Sequence, residues 1–386
     1  MRRMLGLAFL LTALGIEPTY CQSVAEQLAN GRVDALRAKT AGNPQTVATL
    51  NTFLGRSDLN AALVGLPKPA PKCAVGNARP QPASEWLVQH AASARVIMFN
   101  ENHLVPQARV LVRALLPRLR RLGFTHIGFE ALGPLRTGVT NYSAANGYYS
   151  VEPTFAALVR EAQALGFTLF AYEAAVAAAA DAPMVERIAA REQGEADNLA
   201  RVVREAPASA RFVVYAGWSH IAEVALPAGD DKFSQWMASR FKAQTGIDPL
   251  TIDLTSCAYE VSSRNGEEAR VYVLEDGSAS VQGMYAGAVD AQFHVPAPAP
   301  NLLYAHDFYR STLGRAVAIP ARLRPRGIEV LVEARGVGQP PLEVAFDRVV
   351  IQDGERLSVY LPPGKYELVS HRTDGTLVGR KRLGVH

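Results

Sequence analysis

Three cysteines in 386 residues, no dense run of lysine or arginine in the body of the chain, and no apolar stretch long enough to stay in a bilayer: these are the first shortages of the sequence. The missing basic run speaks against a nucleic-acid partner, because neutralising phosphates needs clustered cations. No serine sits in a Gly-x-Ser-x-Gly elbow, which weighs against an ordinary α/β-hydrolase triad. What is present, 48% hydrophobic and 20% charged residues, suffices for a full core and argues for two domains. It excludes a disordered chain and a coiled coil.

Met1-Arg2-Arg3 followed by the apolar run Met4 to Ile16 has the charged and hydrophobic regions of a secretory signal, too short for a stable membrane anchor. Residues 1–21 are therefore expected to be removed, with Thr19 and Cys21 as the small residues before the cut. The mature protein is expected to be periplasmic or secreted, with no transmembrane segment. Tyr20 ahead of Cys21 makes a poor lipobox, so a lipid anchor is not expected. Loss of Arg2 and Arg3 together with Glu17 takes the formal net charge from +4 to +3. Cys73 and Cys257 then remain, an even number in an oxidising compartment. One long-range disulfide is the natural expectation, two unrelated thiols the alternative.

Residues 22 to 66 carry apolar spacings of three and four (Val24, Leu28, Val33, Leu36; Val47, Leu50, Leu54) and read as short helices, a preface to the main domain. The Pro-rich stretch 67 to 83 follows as a linker that cannot be helix or central sheet. Over 84–288 strand and helix alternate: strand Val96 to Phe99, helix Val105 to Leu122 stopped by Gly123, strand His126 to Phe129, helix Pro153 to Leu165, strand Thr168 to Tyr172, helix Pro183 to Glu205, strand Phe212 to Ala216, helix Lys232 to Thr245, strand Leu250 to Leu254. This predicts an α/β class with a parallel-sheet sandwich core of at least five strands. Beyond Pro296, Pro298 and Pro300, residues 300–386 show short alternating runs (327–332, 342–346, 357–361, 366–369) separated by Asp353-Gly354, Pro363-Gly364 and Asp374-Gly375 turns. They read as a small all-β, sandwich-like domain that either binds an envelope partner or only caps the core.

The chemistry lies where polar residues close the strands. The first strand runs into Asn100-Glu101-Asn102-His103, the second ends at Glu130, the third at Glu173, and the fourth opens into Gly217-Trp218-Ser219-His220. In a parallel sheet these termini share one edge, where a half-desolvated carboxylate must meet a cation, share a proton or face water. Glu101, His103 and His220 are candidate metal ligands. Arg191, Glu195 and Asn198 fall on one helical face, and the arginine fork there would anchor an anion or hold a catalytic glutamate, or else form an exposed Arg–Glu pair. The insert 132 to 152 contains Asn141, Tyr142, Tyr148 and Tyr149 and reads as a loop over the site, its tyrosines either contacting a ligand or packing on the β module.

Together these residues resemble one superfamily over about residues 94 to 256: the ChaN-like haem-binding proteins, the Tiki/TraB proteins and the erythromycin esterases. The resemblance rests on Glu101-x-His103, Glu130, Tyr172-Glu173, the helix Arg191 to Asn198 and Gly217-x-x-His220. Asn100 stands where the superfamily usually has glycine, and the one-residue spacing between Glu101 and His103 is closer to the ChaN-like branch than to the esterases. The resemblance implies a hydrolase of ester or peptide bonds, with His103 as base or metal ligand, Glu101 and Glu130 orienting it, His220 completing a metal site or stabilising an oxyanion, and Arg191 steadying negative charge. It equally implies a haem or iron carrier, with Glu173, Tyr148 and Tyr149 at the cofactor; a divalent transition metal or haem is the expected cofactor. A small-molecule or peptide substrate is the expected partner. A third reading is a non-catalytic envelope interaction protein with a decayed site.

Overall fold

Alternate residues of the strand Val96–Glu101 are claimed by two different helical layers, and this division organises the molecule. Ile97 and Phe99 pack with the helices Ala83–Ala91 (α4), Gln107–Arg121 (α5) and Pro153–Ala164 (α6), whereas Val96 and Met98 pack with Met184–Glu205 (α7) and Met237–Thr245 (α8). A strand buried on both faces reads as a continuous apolar run, as Val96-Ile97-Met98-Phe99 does.

The computed structural model describes residues 18–64, 73–133, 147, 149–174, 181–227, 233–261, 268–298 and 309–386. The expected signal sequence lies outside them apart from 18–21, as do Tyr148, Pro300 and most of the 132–152 insert. Among the described residues no helix is long and apolar enough to cross a membrane.

The chain is mixed α/β, with a nine-stranded, mostly parallel sheet and a separate antiparallel β region at its C-terminal end. We label Arg79–Pro82 β1, Val96–Glu101 β2, His126–Phe129 β3, Thr168–Ala171 β4 and Phe212–Gly217 β5. The sheet order is β1, Arg270–Val273, Ala291–Pro298, Leu250–Asp253, β2, β5, β3, β4, with Ala258–Val261 paired to Ala291–Pro298. From Ala291–Pro298 to β4 every neighbouring pair is parallel. The sheet therefore extends past residues 84–288 on both sides. Its prolines Pro80 and Pro82 fall in the edge strand β1, where a missing N–H is tolerated.

Several boundaries differ from those the sequence suggests. The helix expected from Val105 starts at Gln107, because Asn102 closes an Asx-type turn onto the Leu104 amide and Pro106 precedes the first turn. Its buried face is Ala108, Arg109, Val112, Leu115, Leu116 and Leu119. The helix expected from Lys232 starts at Met237; Phe233–Ser234 pairs with Leu226–Pro227 instead. The expected strand 342–346 is a loop: Pro340 and Pro341 offer no N–H, and the Arg335 guanidinium gathers the carbonyls of Pro340, Pro341 and Glu343. The strand begins one residue later, at Asp347–Ile351.

The helices Pro18–Ala29 (α1), Val33–Thr40 (α2) and Pro44–Phe53 (α3) are clamped to the C-terminal sheet, whose order is Asp347–Ile351, Val330–Gly336, Gly364–Arg372, Leu377–Val385. Leu331 and Val350 pack with these helices, while Val330, Val332, Val349 and Ile351 form a second core with Val359 and Leu361 of the short sheet behind. Buried Arg56 bonds the Val350 carbonyl and the carboxylates of Asp58 and Glu355, and buried Arg348 reaches the carbonyls of Phe53 and Val151. Gly55 has φ +68°, and a Cβ there would strike the Arg348 carbonyl, so only glycine permits this approach.

Cys73 and Cys257 lie at disulfide distance, with Cα atoms 5.5 Å apart and a sequence separation of 184. Reducing this bridge, or replacing Cys73 by serine, is expected to lower stability by about 2–4 kcal/mol with the fold retained. Thermal melts with and without reductant measure this, and coincident midpoints would refute it.

Candidate functional site

Glu101, the last residue of β2, points to the α5 face of the sheet, where burial makes an unpaired carboxylate untenable. Arg109, in the first turn and a half of α5 and itself buried, takes it with a two-pronged grip: Nε to Oε2 at 2.6 Å and Nη2 to Oε1 at 2.9 Å. Tyr215 of β5 donates its hydroxyl to Oε2 at 2.7 Å, and His103 Nδ1 lies 2.8 Å from Oε1. Burial alone would raise the Glu101 pKa, but the guanidinium and the His103 and Arg109 hydrogen bonds hold it down at about 2. Glu101 is thus an anion whose oxygens are each already doubly engaged. Arg109 also donates to Glu152 at 3.0 Å. Glu152 in turn caps α6 through the Thr154 and Phe155 amides, so the far end of the insert is tied to the same arginine.

Glu130 has the opposite parity to Ile127 and Phe129 and turns to the α7 face, where Arg191 meets it at 2.7 Å. Arg191 is 7% exposed and anything but a surface pair: Nε and Nη2 grip Glu173 at 2.9 and 2.5 Å, and Nη2 also lies 2.9 Å from Glu195. Gly194 lets the strand end carrying Glu173 come this close, since a Cβ there would lie 2.8 Å from Ala174 Cβ. Asn198, on the same helical face, caps the carbonyls of Tyr172 and Glu173.

His220 enters this group through a 3-10 turn, Trp218–Ile221, in which Trp218 is the one described non-glycine residue with positive φ, 39°. The turn is held by Asn100, which donates to the Trp218 carbonyl and to Asp253, both at 2.9 Å, and accepts from the Leu254 amide. A glycine at position 100 could do none of this. Nδ1 of His220 sits 2.9 Å from Glu192 and 3.0 Å from Glu195, and Nε2 sits 3.3 Å from Glu130. Burial opposes a charge on His220, but the carboxylates of Glu130, Glu192 and Glu195 outweigh it and raise the pKa well above the ordinary value. Arg191 Nη1, 3.0 Å from Nε2, therefore lies alongside a second cation rather than donating to a neutral ring. Burial likewise opposes the charge on Glu130, and His220 and Arg191 overcome it, holding Glu130 ionised.

The two groups meet over Gly217. Its amide donates to Glu130 Oε2, and a Cβ at this glycine would lie 2.4 Å from His103 Nε2 and 3.1 Å from Glu130 Oε2. The imidazole and the carboxylate thus share the space that a side chain would fill. Tyr149 stacks on the His103 ring at 4.2 Å between centroids, closing its other side. All five expected catalytic residues, Glu101, His103, Glu130, Arg191 and His220, are brought into this one site, with Glu173 at its edge and Tyr149 against His103; Tyr148 lies outside the described residues.

The trio Glu101, His103 and His220 is not gathered as a ligand set, because Glu101 is consumed by Arg109, Tyr215 and His103. The group with ligand spacing is instead Glu130, Glu195 and His220, with candidate atoms within 4.8 Å of one another. Arg191 stands among these three, within 3.0 Å of each, and supplies the positive charge an ion would bring. Arg109, Glu152, Tyr215, Glu192 and Gly217 acquire their roles only in three dimensions. Of these, Glu152 ahead of Pro153-Thr154 carries a legible capping signal.

No protein-family model matches the chain, and no curated protein is similar to it. Among solved structures the chain is similar to a bacterial protein toxin at 16% identity, covering 58% of this chain and 42% of that one with a TM-score of 0.33. It is similar to RRSP, a MARTX toxin effector domain from Vibrio vulnificus, at 18% identity over 45% and 36% with a TM-score of 0.31. A third is the C-terminal region of Pasteurella multocida toxin, with its thiol-protease-like catalytic triad, at 10% identity over 75% and 46% with a TM-score of 0.35. The chain spans less than half the length of each of these three. All three TM-scores lie below 0.5.

Because Glu101 titrates near 2 in the folded protein against an ordinary 4.5, the stability it contributes is complete above pH 4.5 and lost as the pH falls from there towards 2. Arg109→Met strands this buried anion and is expected to cost about 3–5 kcal/mol at neutral pH and to shift acid unfolding to higher pH. Urea titrations at two pH values read both effects; parental stability would show that Arg109 does not hold the anion. Gly217→Ala is expected to move the His103 ring, seen as a shift of its NMR signals at little cost to the melting temperature, and unmoved signals would refute the contact.

Proposed function

We propose that the chain is an exported hydrolase of ester or peptide bonds, related to the ChaN-like, Tiki/TraB and erythromycin-esterase superfamily, in which His103 activates water. One observation carries this reading. The imidazole is held at Nδ1 by a buried, ionised glutamate, and its Nε2 is directed at the space over Gly217 beside Glu130. Glu101 fixes the tautomer and stabilises the imidazolium formed when Nε2 takes a proton, the role a carboxylate plays behind a histidine base. Arg191 and His220 place two positive charges beside the same space, suited to an oxyanion developing on a substrate carbonyl. Glu130, held by both, orients them and accepts from the Gly217 amide.

The alternatives find less support. A haem carrier needs an imidazole or phenolate open to a porphyrin, but His103 lies under Tyr149 and His220 is enclosed by Glu130, Glu192 and Glu195. A decayed site would leave the strand-end residues scattered, and here Glu130, Arg191 and His220 lie within hydrogen-bond or ion-pair distance. A metal at Glu130, Glu195 and His220 would have to displace Arg191. Export is supported by the N-terminal signal pattern and the Cys73–Cys257 pairing.

The test is turnover of p-nitrophenyl and alkyl carboxylic esters and of peptide anilides by the purified protein. His103→Ala is expected to reduce kcat by about 10²–10⁴-fold with an unchanged melting temperature, and dialysis against EDTA is expected to leave turnover intact. A fully active His103→Ala protein would sink the proposal, and loss of activity to EDTA restored by zinc would replace it with the metal-dependent version.

A further inference from the structure

One nitrogen in the site is asked to serve more carboxylates than it has hydrogens. Nη2 of Arg191 carries two N–H bonds, and they go to Glu130 Oε1 and Glu173 Oε2. Glu195 lies 2.9 Å from the same nitrogen and 3.0 Å from His220 Nδ1, is fully buried, and accepts no hydrogen bond at either oxygen. Around Arg191 and His220 stand four carboxylates, Glu130, Glu173, Glu192 and Glu195, against two cations. Such a surplus of buried acid groups is relieved when one of them holds a proton, as in paired-carboxylate sites.

Exposure decides where that proton can leave. The Glu130 and Glu195 side chains are 6% and 0% exposed, whereas that of Glu173 is 29% exposed. Glu173 also lies two residues past the end of β4, and in the sheet order β3, which ends in Glu130, stands between it and the β2 side that supplies His103, so a substrate carbonyl lying against the Glu130 strand end has the imidazole on one flank and Glu173 on the other. We propose that Glu173 is the general acid of this site, protonating the leaving group while His103 takes a proton from water. The inference rests on the hydrolase reading. As water oxygen bonds to the carbonyl carbon, His103 Nε2 accepts its proton. When the tetrahedral intermediate collapses, the carbon–leaving-group bond breaks and the departing oxygen or nitrogen takes the proton of Glu173. Glu173 is left as a carboxylate, and the proton on His103 returns through solvent to restore both groups.

The charged groups facing Glu173 are Arg191 and Glu195 from α7 and Glu130 from the end of β3. Burial, opposed by Arg191 and reinforced by Glu195 and Glu130, pushes its pKa up to about 8, so the acid is loaded at neutral pH and empties as the pH rises through that value.

The experiment compares two esters of one acid, a p-nitrophenyl ester whose leaving group needs no proton and an ethyl ester whose leaving group does. In Glu173→Gln the ratio of kcat/KM for ethyl over p-nitrophenyl ester is expected to fall by about 10²-fold, and in the wild type the same ratio is expected to fall as the pH rises through about 8. Equal losses on both esters, or a ratio indifferent to pH, would assign Glu173 a merely structural part and overturn the inference. Infrared titration reads the proton without turnover: a protonated-carboxyl band vanishing near pH 8 and missing from Glu173→Gln is expected, and its absence from the wild type overturns this inference alone. Wild-type protein inert towards both esters and peptide anilides would instead refute the hydrolase reading.

Discussion

A carboxylate taken out of water must find a cation, and at the C-terminal edge of this sheet that requirement is met twice, on opposite faces. Strand alternation sends Glu101 to the α5 side and Glu130 to the α7 side, and a single buried arginine waits on each, Arg109 and Arg191. Neither arginine is free to choose: each is rooted in a helix that the apolar faces of the sheet have already positioned. The hydrophobic layers thereby set the electrostatics. Removing either cation leaves a charge with no route to solvent, which is why the site and the core are one problem and not two.

The two faces communicate through a place with no side chain. At Gly217 the sheet is thin enough for His103, delivered from the α5 side, and Glu130, from the α7 side, to approach each other. The following residue, Trp218, is bent into an unfavourable conformation so that His220 can turn back under the sheet edge. The cost of that bend is offset by Asn100, whose side chain ties Trp218 to the Leu250–Asp253 strand end through Asp253, and Asp253 is itself saturated by Thr255, Ser256 and Gln292. A polar scaffold beneath the site thus fixes a geometry that apolar packing would not specify.

Much of this was legible in the sequence, and the reason is periodicity. The strand Val96 to Phe99 and the strands β3, β4 and β5 of the same parallel sheet announce themselves as apolar runs, and their ends name Glu101, His103, Glu130, Glu173 and His220. The face of α7 bearing Arg191, Glu195 and Asn198 follows from spacings of four and three. Arg109 and Tyr215 were hidden because their partner is set by sheet order, with β5 inserted between β2 and β3, which no local pattern encodes. The edge strand Arg79–Pro82 and its inner neighbour Arg270–Val273 escape notice for a related reason: their pairing depends on distant partners, and the prolines of β1 are the signature of a linker as much as of a sheet margin. Similarly, Arg335 decides that 342–346 is a loop by collecting carbonyls, an effect that alternation of apolar residues cannot reveal.

The clamp between α1, α2 and α3 and the C-terminal antiparallel sheet joins segments far apart in the sequence. Leu54 accepts from the Val350 amide, the Asp34 amide donates to the Thr373 carbonyl, and Arg56 spans 294 positions to the Val350 carbonyl. Contacts of such sequence separation close late, after the intervening chain has been ordered. The apolar faces of α1, α2 and α3 consequently stay open while the parallel sheet assembles, so folding passes through a stage in which the strand-end site is built but these two segments are not yet joined.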